Sequence, residues 1–497
     1  MEYHGLPNEV LDRICYYLCY HCQNHGIFPN SDIKENRADK VALSRLCRAS
    51  KHLNAVAQPI LFHYYAAGNL PRSSNTELTR GRQFFGDEDD KLHLFMRTLI
   101  ARPDLAACIR SLQLQTSNIN ARYTPEILNR FAQTSRDLGL AIPARLHSEI
   151  TPYRTLATRY RRNVHRWLQA LSIALSPLLE MLHHVLEDVT PYDYLEDSGI
   201  ELPALKTVAL RGAYADYNLQ DARPLMAVAP NLDTLYALDC GDPVENQSWL
   251  SLGGVRKIVL QGLAPAHLAE VLSGCHSLQD LEYYLFGWPD SESLARALAP
   301  VSEGLRRLCI TRLPMLEKYY RDLLPGGDGM VMPSLRSFPN LEILVIDQVF
   351  IYSKHSVSTD TGLLASFLPP SIVSVHITYV HKTTNADLLD LAAAASSSFP
   401  NLRNITIGFV DVALARAIDM EQLPMIVAAF AESGVHLTWR EDFVRPYLYT
   451  AIPGGASGMT VAHKNIVPGI QTSTTVVHVP AVACGANGNC HWDGKPG

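Results

Sequence analysis

Apolar residues follow two different rhythms along this chain. Near the start, Leu6, Val10, Leu11, Ile14 and Leu18 recur at three- and four-residue steps, which places them on one face of a helix over 6–18. Pro7 suits a first helical turn, where its missing N–H has no intrahelical partner to lose. A second amphipathic stretch spans 41–57, with Val41, Leu43, Leu46, Leu53 and Val56 apolar, and Pro59 is expected to end it before the run Ile60, Leu61, Phe62. The polar stretch of about 20–40, with Gly26, Pro29 and Asn30, reads as an inserted surface loop. Two short helices and an apolar tail are too small to close a core alone. Their faces are expected to dock on the rest of the chain or on another protein.

From residue 109 onward the rhythm changes to a recurring phrase. A Pro- or Gly-containing loop is followed by an apolar anchor, two polar residues and an alternating apolar pair. Phe338-Pro-Asn-Leu341-Glu-Ile-Leu344-Val-Ile346 and Phe399-Pro-Asn-Leu402-Arg-Asn-Ile405-Thr-Ile407 are the clearest copies. Anchors at 179, 205, 232, 255, 278, 305, 341, 372 and 402 lie 23 to 36 residues apart, with weaker copies at 109 and 435. Each alternating pair predicts a short strand with one face buried. Helical stretches are expected between strands, as at 265–273, 291–299 and 386–395. One such unit cannot bury its own apolar face, so stacking must build a continuous core. Two helices at 125–138 and 155–175 occupy the segment 114–178, which reads as an insertion or an oversized repeat.

Composition narrows the classes. The 497 residues are 47% hydrophobic and 19% charged, as in ordinary folded proteins, and the net charge of −6 argues against a general nucleic-acid binder. No stretch supplies the roughly 18 uninterrupted apolar residues of a membrane span; the best, 167–186, contains Gln169, Glu180, His183 and His184. Acidic Glu2, Glu9 and Asp12 argue against a secretory leader. Cys108, Cys240 and Cys309 sit inside apolar patterns, as reduced thiols do. The expectation is a reducing compartment, cytoplasmic and/or nuclear, with no membrane and no nucleic-acid partner. After about 445 the chain turns rich in Gly, Ala, Thr, Val and Pro, and 446–497 is expected to be a low-complexity, disordered tail.

Three N-terminal pieces carry a resemblance: Leu6-Pro7-x-Glu9-Val10-Leu11-x-x-Ile14, then Ala42-Leu43-Ser-Arg-Leu46-Cys-Arg-Ala-Ser50-Lys-x-Leu53, then Gln58-Pro59-Ile60-Leu61-Phe62. In this order they resemble an F-box. With the repeats, the chain up to about 445 is similar to F-box/leucine-rich-repeat proteins, particularly fungal ones with loosely kept repeats. The resemblance implies an α/β repeat fold: a small helical F-box (1–66), a linker (67–108), and a degenerate leucine-rich-repeat solenoid, or horseshoe, over 109–445. It implies docking on a Skp adaptor, and through it a cullin scaffold, by Leu6, Pro7, Val10, Leu11, Ile14, Leu18, Leu43, Leu46, Leu53, Ile60 and Leu61. The repeats would then capture a protein substrate for ubiquitination, with no cofactor and no catalysis by the chain itself. A non-ligase interaction scaffold is the alternative.

The repeat phrase also nominates a substrate surface. The middle residue of each strand points away from the core, toward the concave face of a solenoid. These positions are His183, Ala209, Tyr236, Val259, Glu282, Cys309, Val345, His376 and Thr406. Tyr236, Glu282, His376 and Thr406 are the substrate-binding candidates, with the loops or the 114–178 insertion as the alternative surface. Cys15, Cys19, His21, Cys22 and His25 crowd one stretch, and Cys19-x-x-Cys22 has metal-ligand spacing. Nearby sequence offers no second Cys-x-x-Cys; Cys47 and His52 would have to be recruited. Thiols without metal are therefore expected there, as for Cys484, Cys490 and His491. Arg154, Arg159, Arg161, Arg162 and Arg166 read as a solvated helix face, and Asp87–Asp90 as an acidic loop. No nucleophile elbow, phosphate-binding loop or zinc-protease helix is present.

Overall fold

The computed structural model describes residues 6–24, 34–66, 92–114, 123–143, 158–186, 190–212, 217–241, 250–285, 291–312, 331–352, 362–378, 384–408 and 422–440, with short strands at 483–484 and 490–491. The expected tail, the first part of the expected linker (67–91), His25 and Asp87–Asp90 otherwise lie outside the described residues.

Twelve strands form one all-parallel sheet in which every strand pairs with its neighbour in chain order. They are β1 (Tyr64–Ala66), β2 (Ser111–Leu114), β3 (Met181–Leu186), β4 (Thr207–Gly212), β5 (Thr234–Leu238), β6 (Lys257–Gln261), β7 (Asp280–Leu285), β8 (Arg307–Arg312), β9 (Ile343–Asp347), β10 (Ser374–Thr378), β11 (Asn404–Gly408) and β12 (His436–Arg440). Sequential order with parallel neighbours makes this an open α/β repeat architecture, not a closed barrel. The eleven anchors read from the sequence are all buried. From β2 to β11 each strand begins two residues after its anchor.

The chemistry of the phrase explains its spacing. Between anchor and strand stands one lead-in residue, whose carbonyl accepts two amides from the next repeat. Asp233 N and Thr234 N both donate to Lys206 O at 2.9 Å, and Arg306 N and Arg307 N both donate to Gln279 O at 2.9 Å. The same double bond recurs from His63 to Val373. Lead-in side chains pair as well: Arg110 with Glu180 (3.4 Å), Asp233 with Arg256, and Arg306 with Glu342. In Pro-Asn-Leu the Asn amide reaches back to the preceding repeat, Asn231 to Pro203 O (2.9 Å) and Asn340 to Glu303 O (2.7 Å).

Second and fourth strand positions, such as Leu281, Tyr283, Leu308 and Ile310, face the helices and build one core running through the stack. Eleven helices matter here: α1 (Asn8–Tyr17), α2 (Tyr20–Gln23), α3 (Lys34–Ala49), α4 (Lys51–Leu61), α5 (Leu92–Ala101), α6 (Pro125–Asp137), α7 (Thr158–Ala174), α8 (Pro265–Ser273), α9 (Ser291–Leu298), α10 (Asn385–Ser398) and α11 (Leu423–Glu432). The segment between β2 and β3 is an oversized repeat, because those strands pair directly around it. Its helices α6 and α7 send Phe131 and Trp167 into the main core, where the Trp167 indole donates to Ser135 Oγ at 3.0 Å.

Several boundaries differ from the sequence reading. The sheet starts at β1, inside the expected F-box, not at 109. Residues 92–108, expected as linker, carry α5, whose Leu92, Met96 and Leu99 are core residues. The stretch 41–57 is two helices: Ser50 leaves helical geometry and its side chain accepts from Leu53 N at 3.1 Å, which caps α4. Pro59 lies inside α4 rather than after it, in the last turn. Within the expected 20–40 loop, α2 occupies 20–23 and α3 begins at Lys34. The basic stretch is not wholly solvated: half-buried Arg166 donates to Thr190 O (2.8 Å) and pairs with Asp193 (3.1 Å).

Gly274 and Gly304 close the helices of successive repeats against the carbonyl of the repeat before. An added Cβ would stand 2.7 Å from Leu250 O and 2.9 Å from Leu278 O respectively, so backbone must move. Gly274→Ala should destabilise the stack by about 1–3 kcal/mol, read as a lower urea midpoint with native far-ultraviolet dichroism unchanged. An unaltered midpoint would show that the repeats are not in van der Waals contact there.

Candidate functional site

The N-terminal helices form a module with its own small core of Cys15, Cys19, Leu43, Ala57, Ile60 and Tyr64. This corrects the expectation that they cannot close one: β1 supplies Tyr64, and the module is welded to the sheet. The adaptor-docking candidates divide accordingly. Leu6 (55% exposed), Val10 (42%) and Ile14 (40%) form a stripe along α1, with Pro7 also exposed, and Tyr17 continues it. Leu18, Leu46, Leu53 and Leu61 are half-buried. Leu11, Leu43 and Ile60 are buried, Leu43 and Ile60 in the module's core, so they are not surface residues. Sequence periodicity put the two classes on one face because an α-helix buries residues i and i+4 on a stripe barely wider than its exposed neighbours.

The nine middle-strand positions do lie in one row, directly paired from His183 through Thr406. The row is on the face opposite the main core, as expected. Its expected accessibility is corrected: Tyr236 is 7% exposed, Glu282 0%, and His183, Ala209, Val259, Cys309 and Val345 are buried too. The cause is a second apolar cluster on that face, in which the small row residues pack among Met181, Tyr236, Leu238 and Tyr284. Only His376 and Thr406 of the row are half-buried.

A charged cluster crosses this face at the strand starts. Lys257 Nζ lies 3.0 Å from Glu282 and 3.4 Å from Asp280, and Arg307 lies 3.3 Å from Asp280. The Tyr284 hydroxyl donates to Glu282 Oε2 at 3.0 Å, and Lys257 Nζ stands 5.8 Å from the Tyr236 ring centroid. Burial raises the Glu282 carboxyl above its usual range, with Lys257 opposing. Burial works to lower the Lys257 ammonium, but Glu282 and Asp280 outweigh it and hold it above its ordinary value. Glu282 is thus a buried, partnered acid.

A third constellation lies where the module meets the sheet. Cys19 caps the start of α2, His21 and Cys22 lie within it, and His63 stands just before β1. The donor atoms of Cys19, His21, Cys22 and His63 all lie within 4.8 Å of one another, the one such group among the described residues. His63 Nδ1 is 3.1 Å from Cys22 Sγ and 3.9 Å from Cys19 Sγ. His21 Nε2 lies 3.6 Å from the Glu180 carboxylate, which also pairs with Arg110. Where the sequence reading looked to Cys47 and His52 to complete the set, the fold brings His63 to Cys19, His21 and Cys22. Cys15, Cys19, Cys22 and Cys47 are all free thiols. Comparison with protein-family models and with curated proteins finds no match to this sequence.

The row also carries a pH sensitivity. His183 and His184 sit side by side on β3, and burial pushes each down to about 3 from an ordinary 6.5, helped by Arg211 at His183 and by His183 and His165 at His184. The neutral His184 ring meets the Tyr192 hydroxyl at 3.0 Å. Because the folded values are depressed, the folded state binds fewer protons than the unfolded one between 6.5 and 3, so stability falls as pH falls through that window. Each histidine should contribute a slope approaching about 1.4 kcal/mol per pH unit. Urea unfolding across that window checks this, and His183→Gln with His184→Gln should flatten the slope; an equally steep curve in the variant would refute the assignment.

Proposed function

We propose that this chain is the substrate-recognition subunit of a Skp–cullin ubiquitin ligase, in which the helical module docks on the adaptor and the repeat stack, read as a leucine-rich-repeat array, holds the substrate. The observation that carries this reading is the α1 stripe. Six of the nine exposed large hydrophobics among the described residues fall within the first 41 positions, on a module whose own core is already closed. An apolar surface left over after core formation marks a protein-binding site.

The chemistry is positional. Docking the module fixes the sheet relative to a charged conjugating enzyme, and a bound substrate then presents its lysines at high effective concentration. The substrate surface shifts from the buried middle row to its accessible flank: half-buried His376 and Thr406, exposed Asn404 and His436, and the half-buried Lys257, Asp280 and Arg307. Mixed charge and modest polarity there suit a folded protein surface better than a phosphorylated peptide, which would want an arginine cluster.

Leu6→Ala and Ile14→Ala should each weaken binding to purified Skp adaptor roughly 30-fold, because truncating a central apolar anchor costs about 2 kcal/mol, and the double variant should bind weaker still. Titration calorimetry reads this, and melting temperature should stay near wild type, since both residues are exposed. Leu43→Ala should lower the melting temperature, because Leu43 is a fully buried member of the module's core. Wild-type adaptor affinity in the double variant would defeat the reading, as would failure of the full chain to recover cullin with the adaptor.

A further inference from the structure

We propose that Cys19, His21, Cys22 and His63 bind one zinc ion in a closed structural site that locks the helical module to the first strands of the sheet. This inference does not depend on the ligase reading.

The donor set selects the metal. Two thiolates and two neutral imidazoles neutralise a divalent ion while offering soft and borderline ligands, which suits zinc and not calcium or magnesium. The geometry is close to complete. Tetrahedral bonds of about 2.3 Å to sulfur and 2.0–2.1 Å to nitrogen put the donors roughly 3.3–3.8 Å apart. His63 Nδ1 already stands 3.1 Å and 3.9 Å from the two sulfurs, and no separation in the set exceeds 4.8 Å. Contraction of at most about 1.5 Å along any edge closes the tetrahedron. Binding would displace the remaining thiol protons, one from each cysteine still protonated, to solvent.

The surroundings resemble a built site. Cys19 is fully buried and His21 is 4% exposed, while Cys22 and His63 are half-buried, which leaves the ion a route in. His21 Nε2 faces the Glu180 carboxylate at 3.6 Å, an acid placed beside the ring as metal-bound histidines commonly have. Arg110 in turn holds Glu180 at 3.4 Å.

Topology gives the ion its task. Three ligands come from α2 and its flanks, the fourth from the residue whose carbonyl accepts the first double hydrogen bond of the sheet, from Arg110 N and Ser111 N (2.8 and 2.9 Å). Glu180, behind His21, is the lead-in residue of β3 and accepts the same double bond from Lys206 and Thr207. One ion would therefore tie α2, β1 and, through Glu180, β3 into one rigid joint.

The test uses the full chain, expressed without a histidine tag, kept reduced and dialysed against a weak chelator. Elemental analysis should give one zinc per chain, X-ray absorption should show two sulfur and two nitrogen neighbours, and cobalt substitution should give tetrahedral d–d bands with thiolate charge transfer. Cys19→Ser with Cys22→Ser should abolish these signals, whereas Cys47→Ser with His52→Ala should keep them. Glu180→Gln should weaken zinc binding roughly 10–100-fold without removing a ligand. The proposal falls if folded wild-type protein retains no more zinc than the Cys19/Cys22 variant, if the metal signal follows Cys47 and His52 instead, or if Cys19 and Cys22 are recovered as a disulfide from reduced, folded protein.

Discussion

The fold depends on a carbonyl that serves two amides. At each lead-in position one backbone oxygen accepts both N–H groups that open the next strand, from His63 at one end to Val373 near the other. This fixes where every strand starts relative to the last, so that the apolar second and fourth positions align into one continuous core. A one-residue slip would turn that core to the opposite face. The irregular spacing between anchors is tolerated because the register is set at the lead-in, not by the connecting segment; even the long excursion through α6 and α7 returns β3 to direct pairing with β2.

The same rule explains the joint with the helical module. His63 is at once the last residue before β1, the acceptor of the first double hydrogen bond and the partner of Cys22 Sγ. Lys40 adds to the joint, donating to Tyr64 O at 2.8 Å with its ammonium 3.8 Å from the Tyr64 ring centroid. Burial pushes that ammonium down to about 8, with Cys19 opposing. The module is an extension of the repeat stack, and its exposed α1 stripe is carried at a defined place relative to the sheet.

The second face of the sheet has a different economy. Repeat proteins commonly leave this face open for partners, but here Met181, Tyr236, Leu238 and Tyr284 close over the small residues between them. Glu282 becomes a buried acid held by Lys257 and Tyr284. Accessible side chains on this face lie at the strand starts and at the β10–β12 end.

Sequence alone determined the local grammar: the anchors, the strands two residues beyond them, the helices between, and the apolar positions Leu6, Val10, Leu11, Ile14 and Leu18 of α1 and its flanks. Those follow from periodicity and turn chemistry, which act over a few residues. It also placed Tyr236, Glu282 and His376 in one row, because side chains alternate strictly along a strand. Tertiary structure decided the rest. Whether Leu11 or Leu6 faces solvent depends on what packs against α1, and whether Glu282 is open depends on Tyr284 and Lys257, one of them on another strand. The Cys19–His63 cluster was half legible: the Cys-x-His-Cys run is visible, but its fourth member lies 41 residues beyond Cys22. Only the fold, by bringing α2 onto the residue before β1, shows that His63 and not Cys47 or His52 completes the set.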